Sequence, residues 1–104
     1  MPRICEHPES ADQAAELFKA IAHPLRLRIV AALSESELHV SALAERLGVA
    51  QAVISQQLRL LRMRELVGVT RSNGHAYYRL TEPHLQHMLD CMDACLVGRR
   101  EPER

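Results

Sequence analysis

The segment Val40-Ser41-Ala42-Leu43-Ala44-Glu45-Arg46-Leu47-Gly48-Val49 and the residues that follow it to Leu80 decide the fold. Within it Ser41 suits a helix N-cap, Leu43 and Leu47 share a face at i, i+4, and Gly48 suits the left-handed position past a helix end. Ala50 to Glu65 then reads as a second helix, with Val53, Ile54, Leu58, Leu61 and Leu66 as its apolar set. Its other face carries Gln51, Ser55, Gln56, Gln57, Arg59 and Arg62. Last come Val67-Gly68-Val69-Thr70-Arg71-Ser72 and His75-Ala76-Tyr77-Tyr78-Arg79-Leu80, split by Asn73-Gly74. Two β-rich runs around Asn-Gly are a strong hairpin signal. Helix, tight turn, polar-faced helix and basic hairpin predict a mainly α winged helix-turn-helix with a small β-hairpin wing.

The polar face is informative for what it lacks. From Ala50 to Arg64 no acidic residue occurs, although a merely solvated helix would mix Glu with Lys. Gln, Ser and Arg carry the donors and acceptors that meet base edges and phosphates in a major groove. The formal net charge of the whole chain is zero, yet Arg59, Arg62, Arg64, Arg71 and Arg79 face Glu65 alone between Ser55 and Arg79. The segment before His23 is acidic, with Glu6, Glu9, Asp12 and Glu16 against Arg3 and Lys19. A local basic patch, not the total, sets phosphate affinity.

Around this reading head the chain of 104 residues forms one domain. Residues 1–9 read as an irregular arm, residues 10–98 as the winged domain with a terminal dimerisation helix, and residues 99–104 as a frayed tail. Ser10-Ala11-Asp12-Gln13 reads as a capping box opening a first helix, and His23-Pro24 breaks it and starts a second to about Leu33. Leu38-His39-Val40 is long enough only for a short bridging strand. A last helix restarts after Thr81-Glu82-Pro83 and runs to Val97, with Gly98 as its stop. With 47% hydrophobic residues but one Phe, two Tyr and no Trp, the core must be aliphatic. No apolar run approaches a membrane span and the N-terminus lacks a signal-peptide layout, so a cytoplasmic protein is expected. The absence of a phosphate loop or nucleophile–base pair argues against an enzyme.

The last helix carries two apolar stripes, Leu85-Leu89-Met92-Leu96 and His84-Met88-Cys91-Cys95. That is more apolar surface than a small monomer covers, and a two-fold dimer through the first and last helices would bury it. A dimer also places paired recognition helices on a palindrome.

The order of elements, with Ala22-His23-Pro24-Leu25-Arg26-Leu27-Arg28-Ile29, Val53-Ile54-Ser55-Gln56-Gln57-Leu58 and Gly74-His75-Ala76-Tyr77-Tyr78-Arg79-Leu80, resembles the ArsR/SmtB family of bacterial repressors over residues 11–97. The resemblance implies a homodimer that occupies palindromic double-stranded operator DNA and leaves it when an inducer binds. It places DNA contacts at Gln51, Ser55, Gln56 and Arg59, with Arg71 and His75 in the wing; Ser41 and Arg62 join them as candidates. Family members commonly sense soft metals or metalloids, and a subset senses oxidants or reactive sulfur.

Cys91 and Cys95 lie one turn apart on one helix face, so two thiols can approach a single ion. Cys5 is the candidate third ligand and His84 or His7 the fourth. Three thiolates suit arsenite or antimonite, and a fourth ligand suits zinc or cadmium. Family zinc sensors often carry Asp-x-His at the start of the last helix; here Glu82 and His84 stand there, with Cys95 farther along and Gly98 in place of an acidic ligand. That departure favours thiophilic ions. Three other readings stay open: cysteines that only pack a helix seam, a thiol switch for oxidants or reactive sulfur, and a winged helix used for protein interaction. A Cys91–Cys95 disulfide in one straight helix is disfavoured, because the Cα atoms stand about 6 Å apart with nearly parallel bond vectors. His39, His75 and His87 read as surface groups, and His23 as a structural cap or core contact. One of Tyr77 and Tyr78 should pack inward.

Overall fold

The computed structural model describes residues 3–100. A single 3-10 turn at Ile4–Glu6 precedes α1 (Pro8–Ile21), α2 (Pro24–Glu35), α3 (Val40–Leu47) and α4 (Gln51–Met63). The hairpin β1 (Val67–Ser72) and β2 (His75–Leu80) follows, and α5 (His84–Arg100) closes the order. This is the expected winged helix-turn-helix.

The hairpin forms as the Asn-Gly signal requires. Asn73 and Gly74 take φ of 54° and 80°, the doubly left-handed turn that matches strand twist. Val67 pairs with Leu80 and Ser72 with His75 in an antiparallel register. On the far side of β2, Leu38 and Tyr78 exchange two backbone hydrogen bonds of 3.1 and 2.8 Å. The expected bridging strand is thus one residue, Leu38. At Gly68 the wing lies close against the linker to α5: a Cβ there would sit 2.9 Å from the Thr81 methyl.

Several helix starts differ from the sequence expectation, each for a local reason. α1 begins at Pro8, not at the Ser10 capping box, and His7 is its N-cap without a side-chain bond. Proline presets a helical φ at the first position and keeps the preceding residue extended. The 1–9 arm is therefore a 3-10 turn plus the first residues of α1. At α3 the N-cap is His39, and Ser41 lies inside the helix. The Leu38–Tyr78 bridge holds the chain extended up to His39, so the helix starts at once behind it. At its other end α5 passes through Gly98 to Arg100, so the tail expected from residue 99 starts no earlier than 101. The remainder of that tail, 101–104, lies outside the described residues.

The core is aliphatic as composition demands. Ile29 and Val30 of α2, Leu43 of α3, Ile54, Leu58 and Leu61 of α4 and Leu85 of α5 are fully buried, and no polar or charged residue among those described is buried. The i, i+4, i+7 set on α4 is what turns its opposite face outward. Val53, expected with that set, is instead 40% exposed, because it lies on the flank of the buried stripe. Tyr78 packs against the core and Tyr77 does not join it.

Candidate functional site

The reading head is held by backbone caps. Gly48, at φ 69°, turns α3 into the α4 approach, and its N–H and that of Val49 both donate to Ala44 O. Arg28 adds a bond of 3.1 Å to Leu47 O. α4 ends in a hydrogen-bonded reversal: Leu66 N–H donates to Leu61 O and Glu65 N–H to Arg62 O. The left-handed position of that reversal is held by Glu65 at φ 61°, where glycine is usual. Thr81 then fastens the end of α4 to the wing, its hydroxyl donating to Glu65 O at 2.8 Å and its N–H to Leu66 O at 3.0 Å.

With Ile54, Leu58 and Leu61 facing the core, Gln51, Ser55, Gln56, Arg59 and Arg62 are all exposed, as the periodicity implied. Arg71 and His75 are exposed on the wing and Ser41 at the start of α3. A cleft lined by Ser55, Arg59, Arg62, Met63 and Tyr78 joins the helix face to the base of the wing. Not all five arginines of the basic segment are equivalent. Arg64 pairs with Glu16 at 2.9 Å, and Arg79 donates to the Thr70 hydroxyl at 2.6 Å. Among the described residues, Arg59, Arg62 and Arg71 form no ion pair, so their charges remain available to phosphate. The N-terminal end of α4 adds first-turn N–H groups, because Ala50 provides no side-chain cap. The Arg64 hydrogen bond, and then the Lys19 charge, hold the Glu16 carboxyl below its usual value.

His39 proves to be more than a surface group. Its Nδ1 accepts from Ala42 N–H at 3.3 Å and lies 3.0 Å from the Ser41 hydroxyl. Its ring stacks on His75 at 5.8 Å and meets the edge of Tyr77 at 5.6 Å. One side chain thereby caps α3 and touches the wing. His23 behaves as read, its Nδ1 accepting from Leu25 N–H at 3.1 Å. Sequence reasoning passed over Arg26, whose guanidinium bonds Ala20 O at 2.7 Å and Gln57 Oε1 at 3.1 Å. Only the arginine in the Leu25-Arg26-Leu27 run, charged between two apolar residues, hinted at it.

The candidate inducer ligands are placed differently. Cys91 and Cys95 are exposed on α5, Cys5 is exposed in the 3-10 turn, and His84 is exposed at the start of α5. Among the described residues, no three His, Cys, Asp or Glu side chains come together as an ion site. Cys5 and His84 are thus not brought to Cys91 and Cys95 within one protomer. His84 is engaged by Glu82, whose Oε2 accepts from His84 N–H at 3.0 Å and lies 2.9 Å from its Nδ1. The backbone bond first, and then the ring, hold Glu82 below its usual carboxyl value. Ile4 in the 3-10 turn, Phe18 on α1 and Met92, Leu96 and Val97 on α5 are between 44% and 58% exposed, and Phe18 and Met92 line one apolar hollow between the two helices. Among the described residues, no helix is long and apolar enough to cross a membrane.

A buried three-residue stripe that turns an acid-free helix outward with Arg59 and Arg62 free on it, beside a hairpin that presents Arg71, defines a winged helix-turn-helix DNA-binding protein. Residues 23–69 match the sequence profile of the arsR family of bacterial regulatory proteins. A transcriptional repressor SmtB homolog of Synechocystis is 40% identical over 80 residues, 77% of this chain and 61% of that protein. A biofilm growth-associated repressor of Xylella fastidiosa is 35% identical over 82 residues, 79% of this chain and 72% of that one. Among solved structures, the antimony-specific transcriptional repressor AntR superposes with a TM-score of 0.75 at 32% identity, covering 86% of this chain and 80% of that one. The chain belongs to the ArsR family of bacterial regulatory proteins, and these relatives are transcriptional repressors, not enzymes. It spans about three fifths of the Synechocystis relative's length.

Proposed function

We propose that the protein is a homodimeric cytoplasmic repressor that leaves a palindromic operator when a thiophilic ion binds the cysteines of α5. The observation that carries the reading is the pairing of Cys91 and Cys95, both exposed, on the helix whose outer face is apolar and uncovered. A second copy packed on α1 and α5 would bury Phe18, Met92, Leu96 and Val97, and apolar surface of that kind marks an interface. The same packing would bring the N-terminal turn of one protomer toward α5 of the other. Cys5 of the partner subunit then becomes the third thiolate that one protomer does not supply, with His84 as a further ligand. Three thiolates suit arsenite or antimonite; a fourth ligand suits cadmium or zinc. The antimony-specific relative supports the metalloid end of this range. On DNA, Gln51, Ser55, Gln56 and Arg59 read the major groove, Ser41 and Arg62 meet the backbone, and Arg71 and His75 reach from the wing.

A thiol switch for oxidants or reactive sulfur is favoured by one observation: the three thiols are exposed and, among the described residues, no third ligand completes an ion site within the protomer. One experiment separates the readings. Duplex release by the reduced dimer is followed by fluorescence anisotropy under arsenite, antimonite, cadmium, zinc and a persulfide donor, with and without Cys91→Ser/Cys95→Ser. Near-stoichiometric release by an ion, lost in the double variant, is expected. Release by the persulfide donor alone selects the thiol switch, and an unimpaired double variant refutes both.

A further inference from the structure

The recognition helix is fastened to α1 in an unusual way. Gln57 in the middle of α4 and Arg64 at its C-cap lie seven residues apart, two turns along one flank of the helix. Gln57 Oε1 accepts from Arg26 Nη1 at 3.1 Å. The same guanidinium donates from Nε to Ala20 O at 2.7 Å and from Nη2 to Lys19 O at 3.5 Å, two carbonyls of the last turn of α1. Arg26 therefore clips the end of α1 to the middle of α4. Arg64 makes the second tie, to Glu16 one turn earlier on α1.

Leu17, Ala20 and Ile21 of α1 share one apolar core with Ile54, Leu58 and Leu61 of α4, but the edges of this contact are open. One cleft, lined by Asp12, Gln13, Glu16, Leu17, Ala20 and Arg64, opens between α1 and the end of α4. A second, bounded by Lys19, Arg26, Leu60 and Met63, opens on the other side of Arg64. Non-directional packing holds the two helices together, and along these open edges the hydrogen-bonded ties add a directional constraint. The two ties are unequal. Glu16–Arg64 is exposed on both sides and so contributes little, whereas the half-buried, multiply bonded Arg26 is the stronger constraint.

We propose that Arg26 and Gln57, seconded by Glu16 and Arg64, are positioning residues that set the angle of α4 against α1 and thereby the half-site spacing the protein reads. The inference rests on the reading of a dimer that engages two half-sites through α4. In such a dimer α1 lies at the seam, with Phe18 exposed on it, so its angle to α4 fixes the separation of the two recognition helices. One added base pair moves a half-site by about 3.4 Å and turns it by about 35°, which a rigid pair of helices rejects. Loosening the clip relaxes that rejection.

The test uses the full-length protein and a palindromic duplex selected by the wild-type protein from a randomised library. Anisotropy titrations compare that duplex with versions carrying one base pair more or fewer between the half-sites. Arg26→Lys keeps the charge but not the fork that bridges both helices. Gln57→Met leaves the bonds of Arg26 to α1 and cuts only the tie to α4, so it serves if the first variant melts early. In both, the ratio of wild-type-spacing to shifted-spacing affinity should shrink by about fivefold, near the worth of one hydrogen bond, with a smaller change for Glu16→Gln. An unchanged ratio in both variants overturns the proposal, as does a loss of affinity equal at every spacing, which marks a direct DNA contact. A wild-type protein indifferent to spacing overturns it together with the two-half-site reading.

Discussion

Glu65 sits in a left-handed conformation at the end of the recognition helix, with φ of 61° and an exposed side chain. For an L-residue that conformation costs about 1–2 kcal/mol, because Cβ crowds the following carbonyl. Glu65→Gly removes this cost but loosens the unfolded chain, which takes back about 0.5–1 kcal/mol. Glu65 enters the hydrogen bonds at this reversal only through its own backbone, its N–H donating to Arg62 O and its C=O accepting from the Thr81 hydroxyl, so the substitution leaves each partner in place. A net stabilisation of about 0.5–1 kcal/mol follows, equivalent to a rise of roughly 2–6 °C in Tm for a domain of this size. Circular dichroism melts at one fixed protomer concentration measure it, since melting of a dimer depends on concentration. Glu65→Ala is the control. It removes the same charge but retains Cβ, so it should melt close to wild type. A glycine variant no more stable than the alanine variant would refute the strain argument.

Two more outcomes are expected. His39→Ala loses both the α3 cap and the contact with the wing and should be less stable by about 1 kcal/mol, whereas His39→Asn can retain the cap and should melt closer to wild type; equal melting of the two would mean the cap contributes nothing. The Glu16 carboxyl titrates below the ordinary 4.5, so its pair with Arg64 contributes fully above pH 4.5 and fades as the pH falls through the lowered value. Melts of wild type and Glu16→Gln should therefore differ slightly at neutral pH and low salt and converge in acid, and a gap that widens in acid would contradict the assignment.

Much of the architecture was legible because its causes are local. Asn73-Gly74 sets a turn by its own backbone preferences, Gly48 ends α3 for the same reason, and Pro24 behind His23 starts α2. The periodicity of Ile54, Leu58 and Leu61 chose the outward face of α4, and with it the exposure of Gln51, Ser55, Gln56, Arg59 and Arg62. Where two local signals competed, sequence alone picked the wrong one. Ser10 and Ser41 are good caps, but Pro8 ahead of the first and the Leu38 strand bridge ahead of the second started the helices earlier.

What the sequence determined by itself is a winged reading head with an aliphatic core and a basic, acid-free helix face, because each follows from residue preferences within a turn or two. Tertiary structure decided which charges remain free. It drew Arg64 to Glu16 and Arg79 to Thr70, and left Arg59, Arg62 and Arg71 unpaired among the described residues. It also decided that Arg26, 31 residues before Gln57, reaches the recognition helix. The Arg64–Glu16 and Arg26–Gln57 contacts depend on how whole helices cross, and no spacing along the chain encodes them.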